Sequence, residues 1–159
     1  GPIDAEELIT GGYWSTYWYN GHIYGTEISR GLDVLALQPS DYLSANEIAA
    51  ASLPELNGIV NAQTQQIVEW PRVPVVARAY LDQLLRENTI DSAQAAELVD
   101  ALDRAEALLG GGNGSRRSTT RDLNNLADDF SDAADGYTGM SGTRYAALAE
   151  TLEGIADSL

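Results

Sequence analysis

Residues 13–28, Tyr13-Trp-Ser-Thr-Tyr-Trp-Tyr-Asn-Gly-His-Ile-Tyr-Gly-Thr-Glu-Ile28, decide the fold of the first part of this chain. Two runs of aromatic and β-branched residues, the side chains that suit a pleated surface, flank Asn20-Gly21. That pair fits a two-residue type I′ turn, whose central positions both need positive φ. The turn fixes a register. Tyr19 falls opposite His22, Tyr17 opposite Tyr24 and Tyr13 opposite Ile28 on one face; Trp18 pairs with Ile23 and Trp14 with Glu27 on the other. A second turn at Ser29-Arg30-Gly31 leads into a third strand, Leu32–Leu37, closed by Pro39. The expectation is a three-stranded antiparallel meander over residues 3–40.

Both faces of such a meander are apolar or aromatic, whereas a free-standing sheet keeps one face polar. Each face therefore needs a cover. A propeller blade packed between two neighbours has that requirement by construction, but the pattern occurs only once in this sequence. The cover must come from the following helices, from other parts of a larger parent protein, or from a second copy in a homodimer.

From Leu43 the hydrophobic period lengthens to that of a helix. Ser44-Ala-Asn-Glu47 fits a capping box and opens a short helix that ends near Leu53-Pro54. Residues 41–73 are thus a short helix and an irregular connection, with an extended piece near Ile67-Val68. Residues 74–159 carry four longer helices. The first starts at Pro74, acceptable at the first helical position, and presents Val76, Tyr80, Leu81 and Leu84. Asp91 with Gln94 caps the second, with Ala95, Leu98, Leu102, Ala105 and Leu109. Gly110–Gly114 stops it, and residues 110–118 read as a flexible loop. Thr119 or Thr120 opens the third, with Leu123, Leu126, Ala127 and Phe130. The fourth starts near Ser141 and runs through Tyr145, Leu148, Leu152, Ile155 and Leu159. Stripes covering part of each helix predict two antiparallel hairpins sharing one core. The fold class expected is α+β, mostly helical: a three-stranded antiparallel β-meander followed by a four-helix-bundle-like region.

Composition narrows the function. Nine basic residues, all arginine, face 24 acidic ones, a net charge of −15. That field repels nucleic acid and anionic lipid, and no basic stripe overrides it. The acidity serves as a solubility device, reflects arginine-biased codon use, or marks adaptation to high salt. No run approaches the ~18 apolar residues of a membrane span. Cysteine is absent, which removes disulfides and thiol chemistry. No signal peptide is visible, and Gly1-Pro2 reads as the remnant of a cleaved tag ahead of a missing natural start.

The segment Gly12–Leu37, with Asn20-Gly-His-Ile-Tyr24 and then Gly31-Leu-Asp-Val-Leu35, resembles the last repeat of exported bacterial LVIVD-repeat proteins. A looser likeness continues through Leu43-Ser-Ala-Asn-Glu-Ile48 and Pro74-Val-Val-Ala-Arg-Ala-Tyr80. The resemblance implies a β-propeller parent and an extracellular or cell-surface setting. It brings no catalytic motif. A propeller needs several blades, and only one is here.

Nothing in the residues assembles into a catalytic centre. The single histidine, His22, flanks the hairpin turn, and its expected role is a solvated or ring-packed turn residue. No Gly-x-Ser-x-Gly occurs, and one histidine supports no Ser/His/Asp triad. Asp128–Gly136 invites a calcium reading but fails the EF-hand spacing: aligning Gly136 to the loop glycine puts Ser131, Ala133 and Asp135 at the first ligand positions and Gly142 in place of glutamate. An exposed acidic helix end is the plainer account. Gly110–Gly114 lacks the Gly-Lys-Ser/Thr of a phosphate loop. No metal, cofactor or catalytic residue is expected. Asp33, inside an apolar strand, is expected to be a structural hydrogen-bonding group with Arg30 or turn amides as partner. The aromatic set Trp14, Tyr17, Trp18, Tyr19 and Tyr24 is the candidate binding surface, with Tyr13 a further member of the group. Packing against protein is favoured over sugar stacking, because both faces are aromatic. The expected function is a non-catalytic structural or binding module at the end of a larger exported repeat protein, serving protein–protein docking or surface attachment. The alternative is an accessory or carbohydrate-binding subdomain of a secreted hydrolase using carboxylates such as Glu27 and Asp33.

Overall fold

A computed structural model describes residues 6, 11–29, 31–54 and 68–159. The fold is α+β and mostly helical. Strands β1 (Tyr13–Tyr19), β2 (His22–Glu27) and β3 (Gly31–Leu35) form an antiparallel sheet in the order β1-β2-β3. Helices α1 (Ala45–Ala51), α2 (Pro74–Arg86), α3 (Ser92–Leu109), α4 (Arg116–Gly136) and α5 (Met140–Ser158) follow.

Asn20 and Gly21 sit at φ 51° and 77°, as the type I′ turn demands. Tyr17 pairs with Tyr24, Trp18 with Ile23 and Tyr19 with His22. The register shifts at a bulge between Tyr13 and Ser15, so Tyr13 pairs with Glu27 and not with Ile28. The extra residue, Trp14, turns Tyr13 over to the face that carries Trp18. β3 ends at Leu35 and not at Leu37, because Leu35 already pairs with Ile23. Two residues further on, Leu37 would stand opposite Gly21 in the turn, with no ladder left to join.

Ser44 caps α1 with the full capping box: its hydroxyl accepts from Glu47 N, and Ser44 N donates to Glu47 Oε2 at 2.6 Å. Asp91 Oδ1 caps α3 by accepting from Ala93 N and Gln94 N at 2.8 and 2.9 Å. The loop before α4 is shorter than the glycine run implies. Ser115 is the N-cap, its hydroxyl accepting from Ser118 N, so Arg116–Ser118 are helical and only 110–115 connect. The cap forms four residues ahead of Thr119, which is buried within α4.

One core joins α2–α5 and holds Leu84, Leu98, Leu102, Leu123, Phe130, Tyr145, Leu148, Leu152 and Ile155. α4 and α5 make the tightest hairpin, α2 lies along α5 and α3 along α4. In α3 the sequence stripe errs at its end: Leu108 is buried and Leu109 is exposed. The loop folds over Leu108, where a Cβ on Gly114 would meet Leu108 Cδ2 at 3.2 Å, and Leu109 projects past the packed region.

The arginines tie helix to helix. Arg78 reaches Asp103 and Glu106 at 2.5 and 3.0 Å, linking α2 to α3. Arg104 holds Asp122 at 2.8 Å, linking α3 to α4, and Arg144 binds Gln83 at 2.7 Å and also Glu87, linking α5 to α2. α1 is fastened to α2 through Ala50, Val76 and Ala79, through Asn46 donating to Asp82 at 2.9 Å, and through an ion pair of Glu47 with Arg86.

Candidate binding surface

Pleating sorts the sheet's side chains into two faces with different fates. Tyr17, Tyr19, His22, Tyr24, Leu32 and Val34 share one face, together with Ser15 and Thr26, whose hydroxyls lie 3.3 Å apart. Tyr24 is the middle of an aromatic row, its ring 6.4 Å from Tyr19 and 6.5 Å from His22, both tilted. This face is open: Tyr17 is 53% exposed, Leu32 60% and Val34 53%. It carries no carboxylate and no arginine among the described residues.

The other face is partly occupied. Trp18 is half-buried and donates from Nε1 to the Ala51 carbonyl at 3.1 Å, which ties the sheet to the end of α1. A cleft of about 280 Å³ lies beside it, between Trp18 and Trp70, with Gly21, Ala51, Ser52 and Pro54 among its walls. Gly25 lies on this face too, under the ring of Tyr13, where a Cβ would come within 2.6 Å of Tyr13 Cε1. The tyrosine crosses the bare middle strand, and its hydroxyl donates to Asp33 Oδ2 at 2.6 Å on β3. A ring laid over a strand glycine covers the backbone the missing side chain leaves open.

The five aromatic residues read from the sequence therefore do not form one platform. Tyr17, Tyr19 and Tyr24 share the open face, Trp18 is on the opposite face against α1, and Trp14, at the bulge, is 77% exposed. The hydrogen bond found at Asp33 comes from Tyr13, a consequence of the bulge, which the alternation rule does not foresee. Arg30, the partner expected from sequence, lies outside the described residues.

Glu27 is the only buried carboxylate among the described residues. It accepts from Gly12 N at 2.9 Å and Ser29 N at 2.8 Å, so it staples the start of β1 to the turn after β2. Both carboxylates of the hydrolase alternative, Glu27 and Asp33, are thus engaged in holding the sheet together. His22 Nδ1 is 3.1 Å from the Asn20 carbonyl oxygen and donates to it, a local turn contact. The aspartates of 128–135 ride on α4 as exposed side chains, and the segment is helix and not a loop. Among the described residues no three His, Asp or Glu side chains stand close enough to share an ion, and no helix is long and apolar enough to cross a membrane.

Trp70 escaped the sequence reading. It precedes Pro71 in a stretch without periodicity, and the only signal available was that a tryptophan in a connection must pack somewhere. Comparison with family models, with curated proteins and with solved structures returns no match.

Proposed function

We propose that this chain is a non-catalytic docking module that seats the open tyrosine face of its sheet against a neighbouring β-sheet of a larger exported parent. The observation that carries the reading is the contiguous uncharged face of Tyr17, Tyr19, Tyr24, Leu32 and Val34 in a chain of net charge −15. An apolar face of that kind is stable when a second sheet packs on it at about 10 Å, as in stacked sheets. The likeness of residues 12–37 to a terminal LVIVD repeat supports the same cover, since a terminal blade has its neighbour in the repeat before it.

Nitration of tyrosine tests it. In the isolated chain Tyr17 and Tyr19 should react readily, and in the parent carrying its upstream repeats they should be protected, while Tyr42 on the outer loop reacts equally in both. Equal reactivity of Tyr17 in chain and parent would remove the proposal. A neutral polysaccharide is the second reading, favoured by the hydroxyls of Ser15, Thr26 and the tyrosines beside the rings. Retardation of the isolated chain in gels containing neutral polysaccharide, lost in Tyr17→Ala, would establish it instead.

A further inference from the structure

We propose that Asn113, in the loop joining α3 to α4, is a site of spontaneous deamidation, where the side-chain amide is converted to aspartate and isoaspartate without an enzyme. The reaction needs the backbone nitrogen of the next residue to reach the asparagine Cγ, and a glycine there leaves the approach unhindered. Gly114 is that residue. The end of α3 uses the preceding amides: Gly110 N donates to Glu106 O, Gly111 N to Leu108 O and Gly112 N to Ala107 O at 2.9, 3.1 and 2.7 Å. Among the described residues the amides of Asn113 and Gly114 find no hydrogen-bond partner, nor does the Asn113 side chain, and the loop is exposed throughout. No hydrogen bond to a described residue has to break before the nucleophile reaches the group it attacks.

The atoms balance with water as the only other reactant. Gly114 N bonds to Asn113 Cγ and gives up its proton to solvent, and the Cγ–Nδ2 bond breaks as the side-chain nitrogen takes a proton back from solvent and leaves as ammonia, closing a five-membered imide. Water then opens either carbonyl of the ring, giving aspartate or, with the backbone rerouted through the side chain, isoaspartate. The new carboxylate lies just ahead of the α4 N-terminus, whose first turn carries Arg116 and Arg117 and no acid. Negative charge is favoured there.

The hairpin supplies an internal control. Asn20-Gly21 has the same chemistry, but its φ values of 51° and 77° are fixed by the Tyr19–His22 pair, and its glycine abuts Ser52. Forming the imide would require that turn to open. The barrier added by that opening slows the reaction by about tenfold for each 1.4 kcal/mol.

The test is ageing of the intact chain at neutral pH, followed by denaturation, trypsin and mass mapping with isoaspartyl methylation. Cleavage at arginine separates Asn20, in peptide 1–30, from Asn113, in peptide 105–116. The 105–116 peptide should gain isoaspartate at least about tenfold faster than 1–30. Gly114→Ala should slow it, and chemically denaturing the chain should bring the Asn20 peptide to a similar rate. An unmodified 105–116 peptide, or equal rates at Asn20 and Asn113 in the folded chain, would overturn the proposal.

Discussion

The helices and the sheet of this chain hold aromatic side chains in opposite ways. In the bundle Tyr145 is buried, stacks on Tyr137 with ring centroids 5.2 Å apart and lies 5.9 Å from Phe130, and both tyrosine hydroxyls donate to the Thr89 carbonyl. In the sheet Tyr17, Tyr19 and Trp14 stand in solvent, and what orders them is local: a tight turn, the Glu27 staple and the Tyr13 brace across Gly25. The bundle is stabilised by area removed from water, contributed by residues far apart in sequence. The sheet is stabilised by hydrogen bonds and ring contacts within about 20 residues of chain, a length too short to enclose a core. A region held in the first way is complete in itself, and one held in the second way is suited to being completed by something else.

The largest effect should come from emptying the core. Phe130→Ala or Leu102→Ala should lower stability by about 3–5 kcal/mol, through lost burial and the cavity left behind. Tyr17→Ala on the open face should stay within about 0.5 kcal/mol, as surface substitutions do. Chemical denaturation followed by far-UV circular dichroism measures both. A Tyr17 variant as damaging as the core variants would erase the distinction between the regions.

The next effect concerns a close approach in the bundle. A Cβ on Gly154 would come within 2.5 Å of Arg72 Cβ and still closer to its Cδ. Alanine is the better helix former by about 1 kcal/mol, but overpacking against an atom next to the backbone costs about 1–3 kcal/mol. Gly154→Ala should therefore destabilise, and a higher melting temperature would show that Arg72 simply swings aside.

In the sheet the corresponding change is at the turn. Gly21→Val should cost more than about 1 kcal/mol locally, because a β-branched residue resists positive φ. Gly25→Ala should displace Tyr13 from Asp33. Both should show as lost cross-strand proton contacts between Tyr17 and Tyr24 in NMR spectra, with the bundle's melting little altered. Preserved contacts in Gly21→Val would discard the positive-φ requirement.

How much of this was legible in the sequence follows from the range of each signal. The hairpin register, the caps at Ser44 and Asp91 and the start of α2 at Pro74 rest on residues within four positions of one another, and local rules see them. The bulge at Trp14 was not visible, because alternation carries no mark of an inserted residue, and with it went the Tyr13–Asp33 bond. The early start of α4 was hidden by arginines that read as loop until Ser115 is recognised as a cap. Trp70 and the helix neighbours within the bundle depend on contacts between distant segments, and no single stretch encodes them.

The smallest effect tests the link between the two regions, and it depends on pH. Burial pushes the Glu47 carboxyl up, but hydrogen bonds from Arg86 and Ser44 N, with the Arg86 charge, outweigh it and hold it below its ordinary 4.5. A depressed folded value means that folding favours the ionised form. The contribution is therefore complete above the unfolded value and is lost as the pH falls through the folded one. Glu47 anchors both the α1 cap and the α1–α2 contact, and α1 holds Trp18 through the Ala51 carbonyl. Glu47→Gln should cost about 1 kcal/mol at neutral pH, the usual worth of a cap interaction. The gap between wild type and variant should be flat above about pH 5 and close as the pH falls below 4.5. Trp18 fluorescence should shift over the same acid range in the wild type only, because a loosened α1 releases its indole. A gap that stays constant down to about pH 3, well below the ordinary carboxylate range, would mean that Glu47 acts through packing alone, and the sheet would then owe its attachment to contacts other than this charge.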